Sequence, residues 1–445
     1  MSPLQKTFLE RRLDLLRGPF TEFVRTQAAA SGLLLLSLAL ALGLVNAGAM
    51  EVYESIQTFP IGVRLGDWQL VGNLLGWVND GLIAVFFFLI GLEIKRELLA
   101  GELRSAATRR LVVAAALGGM VLPAVIYTLV NVPHPAGEPI GWGIPMATDT
   151  ALAVGVLALA GSLVPRALTA FLVGLAIVDD MGAVLVIALF YTQSVQPQVL
   201  WLSLLLLGVL GFAGYAGVRH PLIYAAGTLG LWLGMHLSGI HASVAGILAA
   251  VTVPARPRML RHGRARRLRR LTRRRLTPQA DVLADEEQHR ALEDIEREAR
   301  QARTPLRSWE HSLQLPVGLL ILPLFAFLNA GVSLEPERLT RLLDDPVALG
   351  VLLGLLVGKP AGICGACWLA ARAGFVRLPE WMDRRSLAGI GLLAAIGFTM
   401  STFIANLGLG GVPERLETAK LAILCASVAA GTGALLLLRP IGRST

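Results

Sequence analysis

The chain has 445 residues, 54% of them hydrophobic and only 16% charged, against roughly a quarter charged in soluble globular domains. With a mean hydropathy of +0.63 and repeated apolar runs of about 20 residues, the thickness of a bilayer's hydrocarbon core, it is excluded as a soluble enzyme. The formal net charge of +9 is a local property, because residues 256–307 alone hold sixteen Arg against eight Asp or Glu.

In chain order, a 1–27 N-terminal segment leads into eight apolar spans within 28–256, at 28–47, 73–93, 111–130, 141–163, 168–191, 199–217, 221–237 and 239–256. An Arg-rich loop, 257–312, precedes four more within 313–438, at 313–332, 346–371, 387–407 and 418–438, and residues 439–445 form a tail. Backbone amides in hydrocarbon must be satisfied internally, and the alternating pattern of a membrane barrel is missing. The fold class is therefore an all-α polytopic membrane protein of about twelve transmembrane helices. Counting Lys and Arg in alternate connections puts 33 of the 40 on one side and five on the other. The positive side is cytoplasmic, so both termini are predicted inside.

Between the first two spans, Ile61–Leu70 holds two short strand-like runs about a Gly66-Asp67 turn, a hairpin signal. The Arg256–Arg275 run reads as contact with anionic lipid headgroups beside the membrane rather than with nucleic acid. Cys364 and Cys367 spell C-x-x-C, but they lie in an apolar span and carry no redox or metal expectation, and three cysteines make no disulfide framework.

Charges that interrupt the spans carry the functional signal. Asp80 lies in the second span, Asp149 in the fourth, Asp179 and Asp180 halfway along the fifth, and Lys359 halfway along the tenth. Each costs roughly 2.5–3.5 kcal/mol at a helix centre on insertion scales. Lys359 is one of only four lysines among forty basic residues, and a desolvated lysine, unlike arginine, can give up its proton. Asp179 and Asp180, adjacent on one helix, project about 100° apart, so one can face a partner such as Lys359 while the other faces a cavity. Asp149 follows Thr148 in Gly143-Ile144-Pro145-Met146-Ala147-Thr148-Asp149-Thr150, where Pro145 invites a helix break. The eleventh span, from Ala388-Gly389-Ile390-Gly391 to Gly397-Phe398-Thr399-Met400-Ser401, is likewise glycine-interrupted. Broken helices at membrane depth line cavities and frame ion sites. Carboxylates suit hard cations and protons, and one carboxylate holding either gives exchange by competition.

The chain resembles the bacterial NhaA-type Na⁺/H⁺ antiporters. The resemblance is carried by Asn79-Asp80-Gly81, Gly91-Leu92-Glu93-Ile94-Lys95-Arg96-Glu97-Leu98, Ala147-Thr148-Asp149, Ala176-Ile177-Val178-Asp179-Asp180-Met181-Gly182-Ala183, Gly239-Ile240-His241-Ala242, Leu322-Pro323-Leu324-Phe325-Ala326-Phe327, Asn329-Ala330-Gly331-Val332, Gly358-Lys359-Pro360 and Gly397-Phe398-Thr399-Met400-Ser401, in order over residues 79–401. It implies that Asp149 and Asp180 bracket the Na⁺ site with Thr148, that Asp179 pairs with Lys359, and that Asp80 is a further buried acid. It also implies inverted-topology repeats, spans three to five against ten to twelve, whose broken fourth and eleventh helices cross near the midplane. Positions matching the pH-response pattern are Glu93, Glu97, Glu310, His311 and His241. The implied activity is electrogenic, pH-regulated Na⁺(Li⁺)/H⁺ exchange by alternating access in the bacterial inner membrane, in a homodimer joined through residues 48–72, with no cofactor beyond the transported ions. Two rivals are an intramembrane aspartyl protease, whose aspartates must share a proton, and a cation channel, which favours rings of carbonyls or acids.

Overall fold

A computed structural model describes residues 19–65, 68–159, 165–192, 195–255, 304–379 and 381–438. The Arg256–Arg275 run and the 439–445 tail lie outside the described residues, as does most of the N-terminal segment.

Helix α1, Pro19–Asn46, begins nine residues before the expected span, because helical sequence continues past the apolar stretch. A short helix α2, Met50–Gln57, leads into β1, Pro60–Leu65, and β2, Trp68–Asn73. The two strands pair antiparallel from Pro60↔Asn73 to Leu65↔Trp68, which is the hairpin expected from the turn signal. The Tyr53 hydroxyl pins α2 to the bundle: it donates to Phe327 O at 2.8 Å and accepts the Gly331 N–H at 2.9 Å. Burial pushes its phenol up to about 12.

The second span is α3, Leu74–Ala100, capped by Asn73 Oδ1, which accepts the Gly76 N–H at 2.8 Å. It contains a π-helical stretch, Trp77–Leu82, that holds Asn79 and Asp80. Next come α4, Ala106–Asn131, a 3₁₀ arm Pro139–Met146 with α5, Thr150–Leu159, then α6, Arg166–Phe190, α7, Pro197–Tyr215, and α8, Pro221–Ser238. Gly239, at φ 86°, ends α8 in the left-handed conformation that glycine tolerates. The eighth expected span, 239–256, is regular helix only over α9, Ser243–Thr252. At 1.5 Å per residue those 10 residues cover about 15 Å, half of a hydrocarbon core. Lys95 of α3 satisfies two carbonyls at its end, donating to Val251 O and Val253 O, each at 2.5 Å.

Beyond the loop, α10, Pro305–Asn329, is followed by the short α11, Pro336–Thr340, then by α12, Pro346–Arg372. Both α10 and α12 contain π-helical stretches, Val317–Ile321 and Gly354–Gly358, and each stretch holds the residue four before a proline, Pro323 or Pro360. A proline lacks the N–H for that carbonyl and crowds it, so the helix widens there. The chain ends with α13, Arg384–Ala394, α14, Phe398–Leu409, and α15, Pro413–Leu438. Among the described residues eight helices are long and apolar enough to cross a membrane, and the two bent pairs, 41° at 147–149 and 47° at 395–397, raise this to ten. The two remaining expected spans correspond to α8 and the short α9.

A helix, a broken pair and a helix thus occur twice, as α4 to α6 and α12 to α15. The matching spans stand seven crossings apart, an odd number, so the two units run in opposite directions. They also meet face to face. A Cβ on Gly118 would lie 2.2 Å from Gly362 O, and one on Gly362 would lie 2.1 Å from Gly118 O, so α4 and α12 approach backbone to backbone, as small residues permit in membranes.

Candidate functional site

The two helix breaks touch. The Asp149 N–H donates to Ile396 O at 2.6 Å, and Thr148 Oγ1 lies 3.0 Å from Ala394 O. A Cβ on Gly397 would sit 2.8 Å from Ala147 O and 2.4 Å from Ser401 Oγ, so only glycine allows the crossing this close.

Four of the expected site residues converge here, all buried: Thr148 and Lys359 at 0% exposure, Asp149 at 2% and Asp179 at 0%. Lys359 leaves the π stretch of α12 toward Asp179, with Nζ 3.1 Å from Oδ2, and it also donates to the Met146 carbonyl of the first broken pair. Asp179 Oδ2 accepts the Thr148 hydroxyl at 2.7 Å. Asp180, the next residue on α6, leaves the helix about 100° from Asp179 and lies within electrostatic reach of Asp149, Asp179 and Lys359.

Asp149 has a different environment. Its Oδ1 accepts the Leu152 N–H at 3.0 Å, the bond an N-cap residue makes. Its Oδ2 accepts the Thr399 N–H at 3.1 Å and the Thr399 hydroxyl at 2.7 Å. One carboxylate therefore sits at the N-termini of α5 and α14, where two helix dipoles favour negative charge. The sequence does not reveal the Thr399–Asp149 bond: the two residues are 250 apart, and no local spacing links them.

Several oxygens around the crossing have no hydrogen-bond partner among the described residues: Asp179 Oδ1, Asp180 Oδ1, Thr150 Oγ1, Ser401 Oγ and Thr402 Oγ1. Unpaired buried oxygens are costly, and carboxylate and hydroxyl oxygens are of the type that suits hard cations. No group of three or more His, Cys, Asp or Glu among the described residues is arranged to hold a metal ion. Asp149 and Asp179 do not form a shared-proton dyad with each other, since Asp149 is committed to Leu152 and Thr399 while Asp179 faces Lys359 and Thr148.

Asp80 departs from the expectation of a buried acid: its side chain is 41% exposed, 3.4 Å from His241 Nε2. His241 Nδ1 lies 2.8 Å from Ser243 Oγ, which places the two together on the approach to α9. At the other end of α3, about 20–25 Å away along the helix, Glu93, Glu97 and Glu310 gather around two arginines. Arg96 Nε donates to Glu310 Oε1 at 2.7 Å, Arg96 Nη1 lies 2.5 Å from Glu97 Oε1, and Arg307 Nη1 lies 3.1 Å from Glu310 Oε2. Glu93 hydrogen-bonds Gln314 within reach of the same charges. His311, one residue past the 1% exposed Glu310, is exposed, because consecutive helical residues point about 100° apart.

Residues 21–438 match the protein family described as Na⁺/H⁺ antiporter 1. The chain is 45% identical to Na⁺/H⁺ antiporter NhaA 2 of Psychromonas ingrahamii over 99% of its own length and 93% of that protein's. It is 43% identical to Na⁺/H⁺ antiporter NhaA 1 of Shewanella denitrificans, over 99% and 98%, and 41% identical to the NhaA 1 of Saccharophagus degradans, over 97% and 94%.

Proposed function

The chain belongs to the Na⁺/H⁺ antiporter 1 family and is a multi-pass membrane Na⁺/H⁺ antiporter, and from that premise we propose that Asp180 and Asp149 hold the transported cation at the helix crossing. The observation that carries this reading is the buried, unpartnered Asp180 Oδ1 on α6, together with the unpartnered hydroxyls of Thr150 and Ser401 on the two helices that lead away from the breaks. Na⁺ or Li⁺ takes those oxygens when the site is deprotonated, and protons displace it on the opposite face. Asp149, held by four backbone and hydroxyl contacts to both broken pairs, couples occupancy of the site to the geometry of the crossing. Asp179 and Lys359 neutralise each other, so a charge that would otherwise be prohibitive at membrane depth is kept beside the ion. Thr148 orients Asp179.

The Lys and Arg asymmetry supports both termini lying in the cytoplasm of a bacterial cell, and two carboxylates that share one monovalent cation but take one proton each would make the exchange electrogenic. The Glu93, Glu97, Glu310, Arg96 and Arg307 cluster then lies at the cytoplasmic end and sets the pH response, with His241 and Asp80 at the opposite end. Residues 48–72 present a two-stranded edge for a second copy, since an isolated hairpin leaves paired-strand capacity free. Exchange read by a pH dye in everted vesicles tests the site assignment. Asp149→Asn is expected to raise the half-saturating Na⁺ concentration at least tenfold, and an unchanged Na⁺ dependence would refute it.

A further inference from the structure

One face of α14 is polar along most of its length although the helix is largely buried. Thr399, Thr402 and Asn406 stand at i, i+3 and i+7 and share a stripe, and the seven-residue interval covers about 10 Å. At one end Thr399 donates to Asp149. At the other, Asn406 Nδ2 donates to Asn329 Oδ1 at 2.7 Å, an oxygen that also accepts Asn79 Nδ2 at 3.3 Å. Asn329 Nδ2 donates back to Asn79 Oδ1 at 2.9 Å. Asn79 adjoins Asp80, the half-exposed acid, so the stripe connects an accessible carboxylate to the helix crossing.

Thr402 is the informative member. Thr128, Thr418 and Thr432 donate their hydroxyls to the carbonyl one turn back, the usual way a helical threonine satisfies itself. Thr402 does not. It is 1% exposed and its hydroxyl has no partner among the described residues, a costly state for a buried polar group. A free hydroxyl between two sets of oxygen atoms suits a hard cation in transit.

We propose that this stripe is the extracytoplasmic ion route, with Asn79, Asn329 and Asn406 as its closed gate and Thr402 as the ligand that receives the cation between the gate and Asp149. The inference rests on the antiporter site described above. Two N–H donors occupy Asn329 Oδ1, and a passing cation displaces them. The carboxamide oxygens then replace part of the cation's hydration shell.

The test measures access. In a chain with Cys364, Cys367 and Cys425 replaced by Ser, Thr402→Cys is treated from the extracytoplasmic side with a membrane-impermeant cationic thiosulfonate, with the asparagines intact and with Asn406→Ala or Asn79→Ala. The gate variants should label at least tenfold faster, and equal rates would overturn the gate. If Asn406→Ala fails to accumulate, Asn406→Gln, which displaces the carboxamide by one methylene, gives the same comparison. In the native chain Thr402→Val should raise the half-saturating Na⁺ concentration several-fold, and Thr402→Ser should restore most of the loss; an unchanged Na⁺ dependence in Thr402→Val would overturn the ligand role. Labelling needs no transport. Absent exchange in the native chain would therefore refute the antiporter site, whereas normal exchange with gate-independent labelling would refute the gate alone.

Discussion

Removing the charge of Lys359 while keeping its bulk, as in Lys359→Met, isolates the contribution of the buried ion pair. Lys359 and Asp179 are both 0% exposed and lie 3.1 Å apart, so neither side chain reaches water when its partner is lost. Breaking a buried pair from one side typically costs about 3–5 kcal/mol, because the remaining charge is uncompensated. Asp179 would keep only the Thr148 hydroxyl at Oδ2, and the Met146 carbonyl would lose its donor, which adds to the cost. Asp179→Asn alone should destabilise by a similar amount by stranding the ammonium. The double variant Asp179→Asn with Lys359→Met leaves no charge behind and should recover about 2–3 kcal/mol of the summed losses, the upper range of coupling for residues in contact. The assay is thermal unfolding of the four purified proteins in one detergent, followed by tryptophan fluorescence. Single variants should unfold several degrees below the native chain, with the double variant above both. Strictly additive losses would refute the pairing and, with it, the account of how Lys359 is tolerated at membrane depth.

Three further outcomes follow from other parts of the molecule. Glu310→Gln removes a negative charge that pairs with Arg96 and Arg307 and lies within electrostatic reach of Glu93, so the alkaline threshold of the pH–activity curve should move toward acid by about one unit; an unmoved curve would remove this cluster from the pH response. Tyr53→Phe loses a donor to Phe327 O and an acceptor for Gly331 N, and should lower stability by about 1–2 kcal/mol at pH 8. Because the phenol is raised from 10.0 to about 12 in the folded chain, its contribution is complete below pH 10 and fades as pH rises toward 12, so the deficit relative to native should shrink across that window. Deleting residues 60–73, the hairpin, should convert a dimer to a monomer in light scattering while leaving Na⁺-dependent exchange measurable, and a retained dimer would place the interface elsewhere.

The site was legible in the sequence where its chemistry violates the solvent. Asp149, Asp179, Asp180 and Lys359 are conspicuous because each interrupts an apolar span, and Pro145 and Gly397 mark the breaks that bring them together. What remained hidden depends on long-range contact. The bond from Thr399 to Asp149 and the carboxamide cluster of Asn79, Asn329 and Asn406 involve ordinary polar residues whose meaning appears only when separate helices are placed side by side. Helix rotation separates the outward-facing His311 from the buried Glu310, and Asp80, expected as a buried acid, has a side chain 41% exposed. The eighth span is shorter as regular helix than its apolar run of residues 239–256, because Gly239 ends α8 in the left-handed conformation and α9 runs only over Ser243–Thr252, its last carbonyls capped by Lys95.

The most direct test of the central assignment is Asp180→Asn in everted membrane vesicles carrying an acid interior, with a pH dye reporting proton release as Na⁺ is added. Asparagine keeps the volume while removing both a cation ligand and a proton site, so the account predicts folded protein in the membrane and no Na⁺-dependent dequenching. Native-like dequenching by that variant would contradict the account at its core.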